Sequence, residues 1–138
     1  MAAAMRFDLP QPDLETQPFW DALNQRKFLL RHCNGCGRDH YYPRPFCPTC
    51  WSDDLSWREA SGRASLYTYS VVHVNDLPPF NERVPYVAAV VELDEGPRVM
   101  TNVEGVPFDE LQCGMPLALD FKAIADDVTI PVFRPAAT

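Results

Sequence analysis

Hydrophobic and polar positions fall into short runs along this chain, and the runs differ between its two halves. In the second half, residues 64–74 (ASLYTYSVVHV) and 85–93 (PYVAAVVEL) are rich in strand-forming residues, and the second run is apolar enough to predict a strand buried on both faces. The Asp-Glu-Gly-Pro turn at residues 94–97 predicts a hairpin. Further strands are predicted at residues 98–104, 117–125 and 128–133. Five short strands favour a small Greek-key barrel such as the OB-fold over a β-sandwich, which five strands rarely close.

The first half predicts one short helix and a set of hairpins. Thr16 suits a helix N-cap and Pro18 is tolerated in a first turn, and Phe19, Trp20 and Leu23 then recur at helical spacing. A short helix is therefore predicted after Thr16, ending at Arg26. Residues 1–15 contain two prolines that oppose a helix, and they are predicted to form a mobile arm. Strands are predicted at residues 27–32, 41–44 and 55–58.

Two CxxC motifs interrupt these predicted strands. Cys33 and Cys36 form the first motif, Cys47 and Cys50 form the second, and residues 37–46 separate them. A CxxC motif places two thiolates on one side of a tight turn, so two facing turns form a tetrahedral four-sulfur cage that suits Zn²⁺. Four thiolates leave no open position for water or substrate, which makes the cage structural. Iron in a rubredoxin-like cage uses the same ligands, so zinc is the default and iron stays open.

Disulfides and redox chemistry are the other uses of paired cysteines. Disulfides fit poorly because the chain shows no secretion signal, and a redox CxxC motif needs no second copy nearby. No apolar run is long enough to cross a bilayer. These features predict a cytoplasmic protein without a membrane partner.

The charge balance limits the partners further. The formal net charge is −7, and four thiolates with one Zn²⁺ make it more negative. Without a cluster of lysines or arginines, this charge opposes binding to a phosphate backbone. No nucleic-acid partner is therefore predicted.

No catalytic residues are predicted. Cys113 is the one thiol outside the cage, and it would need a base such as His73 to act as a nucleophile. A small buried residue before the Gly114 turn is the favoured interpretation. The carboxylate pairs at residues 94–95 and 126–127 lie where turns are expected, and adjacent turn residues do not form an acid–base pair by spacing alone.

These patterns together predict a mainly β protein with three parts. Residues 1–26 form the N-terminal arm and short helix, residues 27–60 a rubredoxin-like zinc ribbon, and residues 61–138 a five-stranded OB-fold barrel.

This order of helix, ribbon and barrel resembles a known family over about residues 16–133. The similar segments are Phe19-Trp20, YYPRPFCPTC (41–50), GRASLYTYSVVH (62–73), PYVAAVVELDEGPRV (85–99) and CGMPLALDF (113–121). The chain resembles the acyl-CoA-associated zinc-ribbon plus OB-fold proteins, formerly a domain of unknown function.

The resemblance implies a non-catalytic accessory subunit that binds a thiolase-like enzyme, meaning a thiolase, a condensing enzyme or an aldolase. It implies that the partner enzyme requires this subunit, and that the subunit has a role in holding or channelling acyl-CoA. The alternatives are a direct acyl-CoA presenter or a partner of a MaoC-like enoyl-CoA hydratase. A single-stranded nucleic-acid-binding OB-fold, with aromatic side chains stacking on bases, is a remote alternative.

Two sets of residues are candidates for these roles. The partner-binding candidates are Phe19, Trp20 and Leu23, whose competing interpretation is packing onto the ribbon. The acyl-CoA-binding candidates are Phe80, Arg83 and Arg98, with Phe80 lining an apolar groove and the arginines facing the CoA phosphates. The competing interpretation of the two arginines is that they are solubilising surface charges.

Overall fold

A short helix, a three-stranded sheet and a closed barrel follow one another along residues 6–136, the part of the chain that the computed structural model describes. The elements are α1 (Gln17–Asn24), β1 (Leu29–Cys33), β2 (Asp39–His40), β3 (Leu55–Glu59), β4 (Arg63–Val72), β5 (Tyr86–Leu93), β6 (Arg98–Val103), β7 (Pro116–Ala125) and β8 (Val128–Pro135), with short 3-10 helices at Phe80–Glu82 and Phe108–Glu110. The predicted mainly β fold class is confirmed. Within these residues, no helix has the length and apolar character that crossing a membrane requires.

The barrel strands neighbour one another in the order β4-β5-β6-β8-β7, and β7 pairs back onto β4. Neighbours are antiparallel except β6 and β8, which run parallel and meet at a single residue pair, Val103 and Phe133. This arrangement is the five-stranded Greek-key barrel of the OB-fold. The thin β6–β8 contact leaves room for a cleft beside it.

The strand β5 differs from its prediction. Its side chains alternate, with Val87, Ala89, Val91 and Leu93 buried inside the barrel and the residues between them half-buried. The prediction of burial on both faces is wrong because no helix covers the outer surface of β5, so only the inner face is sealed from water.

The helix α1 begins directly after Thr16, the predicted N-cap, but ends at Asn24, two residues earlier than predicted. Arg26 adopts a left-handed φ of 60°, and the N–H groups of Arg26 and Lys27 donate to the carbonyls of Leu23 (3.0 Å) and Ala22 (2.9 Å). A residue in this conformation ends a helix by turning the chain away from its axis. The turn directs the chain into β1.

The predicted strand at residues 41–44 is wrong. β1 lies between β2 and β3 in the ribbon sheet, and the chain leaves the sheet after His40, at the end of β2. Pro43 has no N–H for a sheet ladder, and the Tyr41 ring packs instead against Phe19 and Phe28, with centroids 5.8 and 5.5 Å apart. Aromatic packing onto α1 therefore replaces strand pairing in this segment.

The arm does not extend freely in its described part, residues 6–15. Asp8 lies between two arginines, with carboxylate contacts of 2.8 Å to both Arg6 and Arg83, and its side chain is only 4% exposed. Arg6 also donates to the carbonyl of Ile124 at 2.8 Å, and the Phe7 N–H donates to the carbonyl of Pro78 at 3.2 Å. These contacts fasten the arm to one end of the barrel; residues 1–5 of the predicted arm lie outside the described residues.

This arm attachment should depend on pH. The hydrogen bond from Arg6, with that from Arg83, lowers the pKa of Asp8 to about 2, below the value of about 3.9 expected in an unfolded chain. The stabilisation is therefore complete above about pH 4 and is lost as the pH falls towards 2. Asp8→Asn should lower the free energy of unfolding by about 1 kcal/mol at pH 7, and this difference should shrink below pH 4.

Urea unfolding of both proteins between pH 7 and 3 measures this difference. Protonation of other groups affects both proteins alike, so the difference isolates Asp8. The exposed Asp126 provides the control, because Asp126→Asn should change little at any pH. An Asp8→Asn effect that is the same at pH 7 and pH 3 would contradict the assignment.

Candidate functional site

The four cysteines of the two CxxC motifs converge at one tip of the ribbon. Their sulfur atoms all lie within 4.8 Å of one another, with 3.5 Å between the Sγ atoms of Cys33 and Cys50 and 3.7 Å between those of Cys36 and Cys47. The sulfurs of Cys33 and Cys47 belong to buried residues, whereas Cys36 and Cys50 face the surface. The two buried cysteines thus hold the cluster against the protein interior, and Cys36 and Cys50 form its solvent-facing side.

The two turns that carry the cysteines repeat the same backbone geometry. The N–H of Gly37 donates to the Cys33 carbonyl at 2.8 Å, and the N–H of Trp51 donates to the Cys47 carbonyl at 2.9 Å. Gly37 and Trp51 both have positive φ, of 79° and 66°. Glycine adopts this conformation freely, but a bulky side chain does so rarely. The exposed Trp51 ring stacks on Phe46 at 5.0 Å, which covers one face of each ring.

Backbone N–H groups favour the thiolate form of the two inner cysteines. The N–H of Cys36 lies 3.4 Å from Cys33 Sγ, and the N–H of Thr49 lies 3.4 Å from Cys47 Sγ. Donation from the backbone of Cys36 lowers the pKa of Cys33, and donation from Cys50 and Thr49 lowers the pKa of Cys47 to about 6. Since the thiolate is the form that binds metal, these bonds prepare the ligands.

The cluster fits a tetrahedral metal. Metal–sulfur bonds of about 2.3 Å in a tetrahedron place neighbouring sulfurs about 3.8 Å apart. The shortest Sγ separations in the cluster, 3.5 and 3.7 Å, are close to this spacing. The sequence-based grouping of Cys33, Cys36, Cys47 and Cys50 is thus reproduced in space, and the four sulfurs suit a structural ion.

Two histidines lie near the cage without joining it. His32 Nδ1 lies 2.7 Å from the carboxylate of Asp39, which also accepts a bond of 2.6 Å from Arg58. His40 is buried, and burial together with the positive charge of Arg31 lowers its pKa. Neither histidine belongs to the four-cysteine cluster, which agrees with a metal coordination sphere that four sulfurs already fill.

The three partner-binding candidates lie mostly inside the protein. Phe19 and Leu23 are fully buried in the core, so neither side chain is available to a partner. Trp20 is half-buried, and its indole N–H donates to the hydroxyl of Tyr42 at 2.9 Å. The prediction that these three residues form a partner-binding set is therefore corrected. The helix packs its apolar face onto the ribbon and the barrel, in agreement with the competing interpretation.

The three acyl-CoA candidates do not form one site. Phe80 and Arg83 line a cavity at the start of β5, whereas Arg98 lies at the far end of that strand's hairpin with β6, over the Tyr67 ring at 3.9 Å. Each arginine already faces a carboxylate, Arg83 that of Asp8 and Arg98 that of Glu92 at 3.5 Å. The expected pairing of two arginines on the CoA phosphates is therefore not assembled.

The cavity beside Phe80 was anticipated only in part, because the sequence suggested Phe80 and Arg83 and none of its other lining residues. It has a volume of about 280 Å³ and lies beside the thin β6–β8 contact. Its other walls include Tyr86, Asn102, Glu104, Val106, Phe108, Lys122 and Ile130. These residues come from separate strands and loops, and no local motif links them. The only sequence signal was the proline-containing loop with Phe80, which was already expected to border a groove.

Cys113 and His73 are held far apart. The N–H of Gly114 donates to the carbonyl of Leu66, which places Cys113 beside the early part of β4. His73 follows the end of β4, seven residues after Leu66 and so about 20 Å along an extended chain. At this separation the two side chains cannot act together as nucleophile and base. Cys113 is exposed, however, so the prediction that it is a small buried residue is wrong.

Family models match most of the chain. The model of the ChsH2 rubredoxin-like zinc ribbon domain matches residues 20–56, and the model of the ChsH2 C-terminal OB-fold domain matches residues 57–122. These matches cover the cage, the later part of α1 and most of the barrel.

Individual proteins are similar over nearly the same length. A solved structure described as "Ltp2-ChsH2(DUF35) aldolase" superposes with a TM-score of 0.84 and 37% identity, covering 94% of this chain and 100% of that one. A DUF35 domain-containing scaffold protein of Methanocaldococcus jannaschii is 32% identical over 110 residues, 78% of this chain and 77% of the relative.

Two relatives carry names of acyl-CoA enzymes. A probable enoyl-CoA hydratase alpha subunit of Thermomonospora curvata is 40% identical over 129 residues, which are 92% of this chain but only 40% of the relative. A benzoylsuccinyl-CoA thiolase subunit, BbsA of Thauera aromatica, is 25% identical over 95 residues, 69% of this chain and 63% of the relative. This chain therefore spans less than two thirds of the length of both.

Proposed function

Because this chain belongs to the DUF35 family of ChsH2-type zinc-ribbon and OB-fold proteins, we propose that it is a non-catalytic accessory subunit of an acyl-CoA-processing enzyme. Its catalytic partner is a thiolase-like enzyme, and that partner requires this subunit for activity. The observation that carries the proposal is the close match, along almost the whole chain, to a DUF35 chain solved with an aldolase.

The described residues also support a non-catalytic role. The cage has no free ligand position, Cys113 and His73 are far apart, and the arginines that could meet CoA phosphates already face carboxylates. What the fold offers instead is a rigid body with an exposed surface. Such a body suits a subunit that acts by binding another protein.

We infer that the cage holds zinc as a structural ion. Four thiolates in a tetrahedron are the usual ligands of structural zinc, and Cys33, Cys36, Cys47 and Cys50 would hold it. Its role is to fix the two turns and the strands that leave them, so that the ribbon forms. Thiols kept for metal binding, without disulfides, fit a reducing compartment, which supports a cytoplasmic location.

Co-expression with candidate partners tests the proposed function. The tagged chain is co-expressed with thiolase-like proteins of its own organism, and the mixture is purified through the tag and by size exclusion. We expect a stable complex with a dissociation constant below about 1 µM, and we expect thiolase or aldolase turnover by the catalytic subunit only in the complex.

A hydratase of the MaoC-like class, co-expressed in the same way, tests the alternative partner. The similarity to the named hydratase alpha subunit favours including it, although most of that relative has no counterpart in this chain. The proposal fails if neither enzyme class co-purifies, or if the catalytic subunit is equally active alone.

A further inference from the structure

One end of the barrel carries a group of exposed apolar side chains, here called the apolar end. Phe7, Leu77 and Phe108 are its exposed members, at 50%, 51% and 42%, and they lie around the half-buried Phe80. Phe80 and Phe108 line the cavity of about 280 Å³, Leu77 precedes Phe80 in the same loop, and Phe7 joins this loop through its bond to Pro78. Large rings so exposed around a cavity mark a contact surface more often than chance packing.

The exposure of Phe7 is maintained by its neighbours. Arg6 and Asp8 lie on either side of it, and both are bonded to the barrel, Arg6 to the carbonyl of Ile124 and Asp8 to Arg83. With both flanking residues fixed, the Phe7 ring cannot withdraw into the core. The arm therefore presents a ring in a fixed position, which reduces the entropy that a partner must remove on binding.

A rim of acidic residues borders the apolar end. Asp76 and Glu82 lie in the loop with Phe80, and Asp109 and Glu110 follow Phe108; all four are exposed. None of them forms an ion pair within residues 6–136. At the opposite end of the barrel, by contrast, Asp94 and Glu92 each face an arginine. The unpaired charges suit a partner with basic residues at the same border.

The negative charges of the acidic rim indicate which kind of molecule binds at the apolar end. CoA carries several negatively charged phosphates, which the acidic rim repels, and the cavity of about 280 Å³ lies only at the lower limit of the range of about 300–1,000 Å³ that small-molecule pockets have. A second copy of this chain, related by a two-fold axis, would bring the same acidic rims together. A protein surface with one apolar side chain to fill the cavity and basic residues around it satisfies both the shape and the charge.

We propose that the apolar end is the docking surface for the catalytic acyl-CoA enzyme, which inserts an apolar side chain beside Phe80 and Phe108 and faces the acidic rim with lysines or arginines. This inference rests on the proposed function and adds the surface through which it operates. The aromatic side chains contribute most of the binding free energy. The charges of the acidic rim raise the association rate and orient the partner enzyme.

Paired variants test the apolar contacts. The full chain with Phe7→Ser and Phe108→Ser is titrated with the purified catalytic subunit that co-purifies with the wild type. We expect the dissociation constant to rise by at least about 30-fold, because both rings are removed from the centre of the interface. Tyr67→Ser is the matched control: Tyr67 is 48% exposed and lies at the opposite end of the barrel, so binding should be unchanged. Unchanged metal content and thermal unfolding verify that each variant is folded.

A second variant tests the acidic rim. Asp109→Asn with Glu110→Gln should slow association several-fold at low salt and reduce its dependence on ionic strength, while dissociation changes little. Glu92→Gln, at the opposite end, should leave the association rate unchanged.

The outcomes separate this inference from the proposed function. If the wild type binds the catalytic subunit and the Phe7/Phe108 variant binds as tightly, the docking surface is wrong and the proposed function stands. The same conclusion follows if Trp51→Gly, on the ribbon, weakens binding and the Phe7/Phe108 variant does not. If the wild type fails to bind any candidate enzyme, both are overturned. If the chain alone forms a dimer that the Phe7/Phe108 variant dissociates, the occupant is a second copy and the inference is also overturned.

Discussion

Replacing Cys47 with serine is expected to abolish metal binding and unfold the ribbon. Cys47 is buried, accepts a backbone bond from Thr49 and lies 3.7 Å from Cys36 Sγ, so its replacement removes one of the four sulfurs of the cage. A structural zinc site contributes about 10–16 kcal/mol to folding a small metal-dependent domain, whereas a whole domain is stable by only about 5–15 kcal/mol. Loss of one ligand is therefore enough to unfold the half of the chain that the cage supports.

The three tryptophans make this transition measurable. Trp51 and Trp57 lie in the ribbon, and Trp20 lies on the helix packed against it, so the barrel contains no tryptophan. Tryptophan fluorescence should report unfolding of the ribbon in Cys47→Ser, and elemental analysis should find the roughly one zinc per chain of the wild type lost.

Cys113→Ser provides the matched control for this prediction. Cys113 is exposed and lies outside the four-cysteine cluster, so its replacement should change neither the metal content nor the unfolding temperature. A strong chelator should reproduce the Cys47→Ser spectrum in the wild type. Fluorescence and melting that are unchanged after removal of all metal would contradict a structural role for the ion.

Truncating Phe19 should destabilise the protein by about 3–5 kcal/mol. The ring is completely buried on α1, and its centroid lies 5.1 Å from that of Trp20 and 5.6 Å from that of Phe28. Two further rings, from Tyr41 and Tyr42, lie within 6 Å of it. Phe19→Ala leaves a cavity among these rings, and the surroundings can fill it only in part because they belong to different elements.

Urea unfolding of the zinc-bound protein measures this loss. Leu14→Ala is the control, because Leu14 is 97% exposed and its truncation should change the free energy of unfolding by less than about 0.5 kcal/mol. If Phe19 were a partner anchor instead, Phe19→Ala would weaken binding to the catalytic subunit at full stability. Equal stability of Phe19→Ala and the wild type would therefore overturn the assignment of this ring to the core.

The same aromatic cluster joins the parts of the molecule. Phe19 and Leu23 connect α1 to the ribbon, while Asn24 donates to the carbonyl of Asp127 (2.8 Å) in the β7–β8 turn. The predicted boundary between residues 60 and 61 falls between β3 and β4, and the three-part division stays a prediction about independent folding units. Because this cluster connects α1 to the ribbon, loss of the metal should disturb the orientation of α1 on the barrel.

Features encoded locally in the sequence were predictable. The spacing of Cys33, Cys36, Cys47 and Cys50 defines two turns, and turns of this kind bring their thiols together whatever surrounds them. The barrel strands were also predictable, because runs of β-branched residues ended by glycine and proline depend on neighbours in the chain. These two signals are enough to predict the cage, the order of the elements and a small five-stranded barrel.

Only the tertiary structure decided which face of each element is buried and which is exposed. The helical spacing of Phe19, Trp20 and Leu23 indicates an apolar face but not what covers it, and the ribbon and barrel cover it here. The separation of Arg83 from Arg98, the attachment of the arm through Asp8 and the cavity beside Phe80 depend on residues far apart in sequence. Closing the barrel determines these distances, because each strand's neighbours are chosen by the packing of the whole core and not by the residues next to it in the chain.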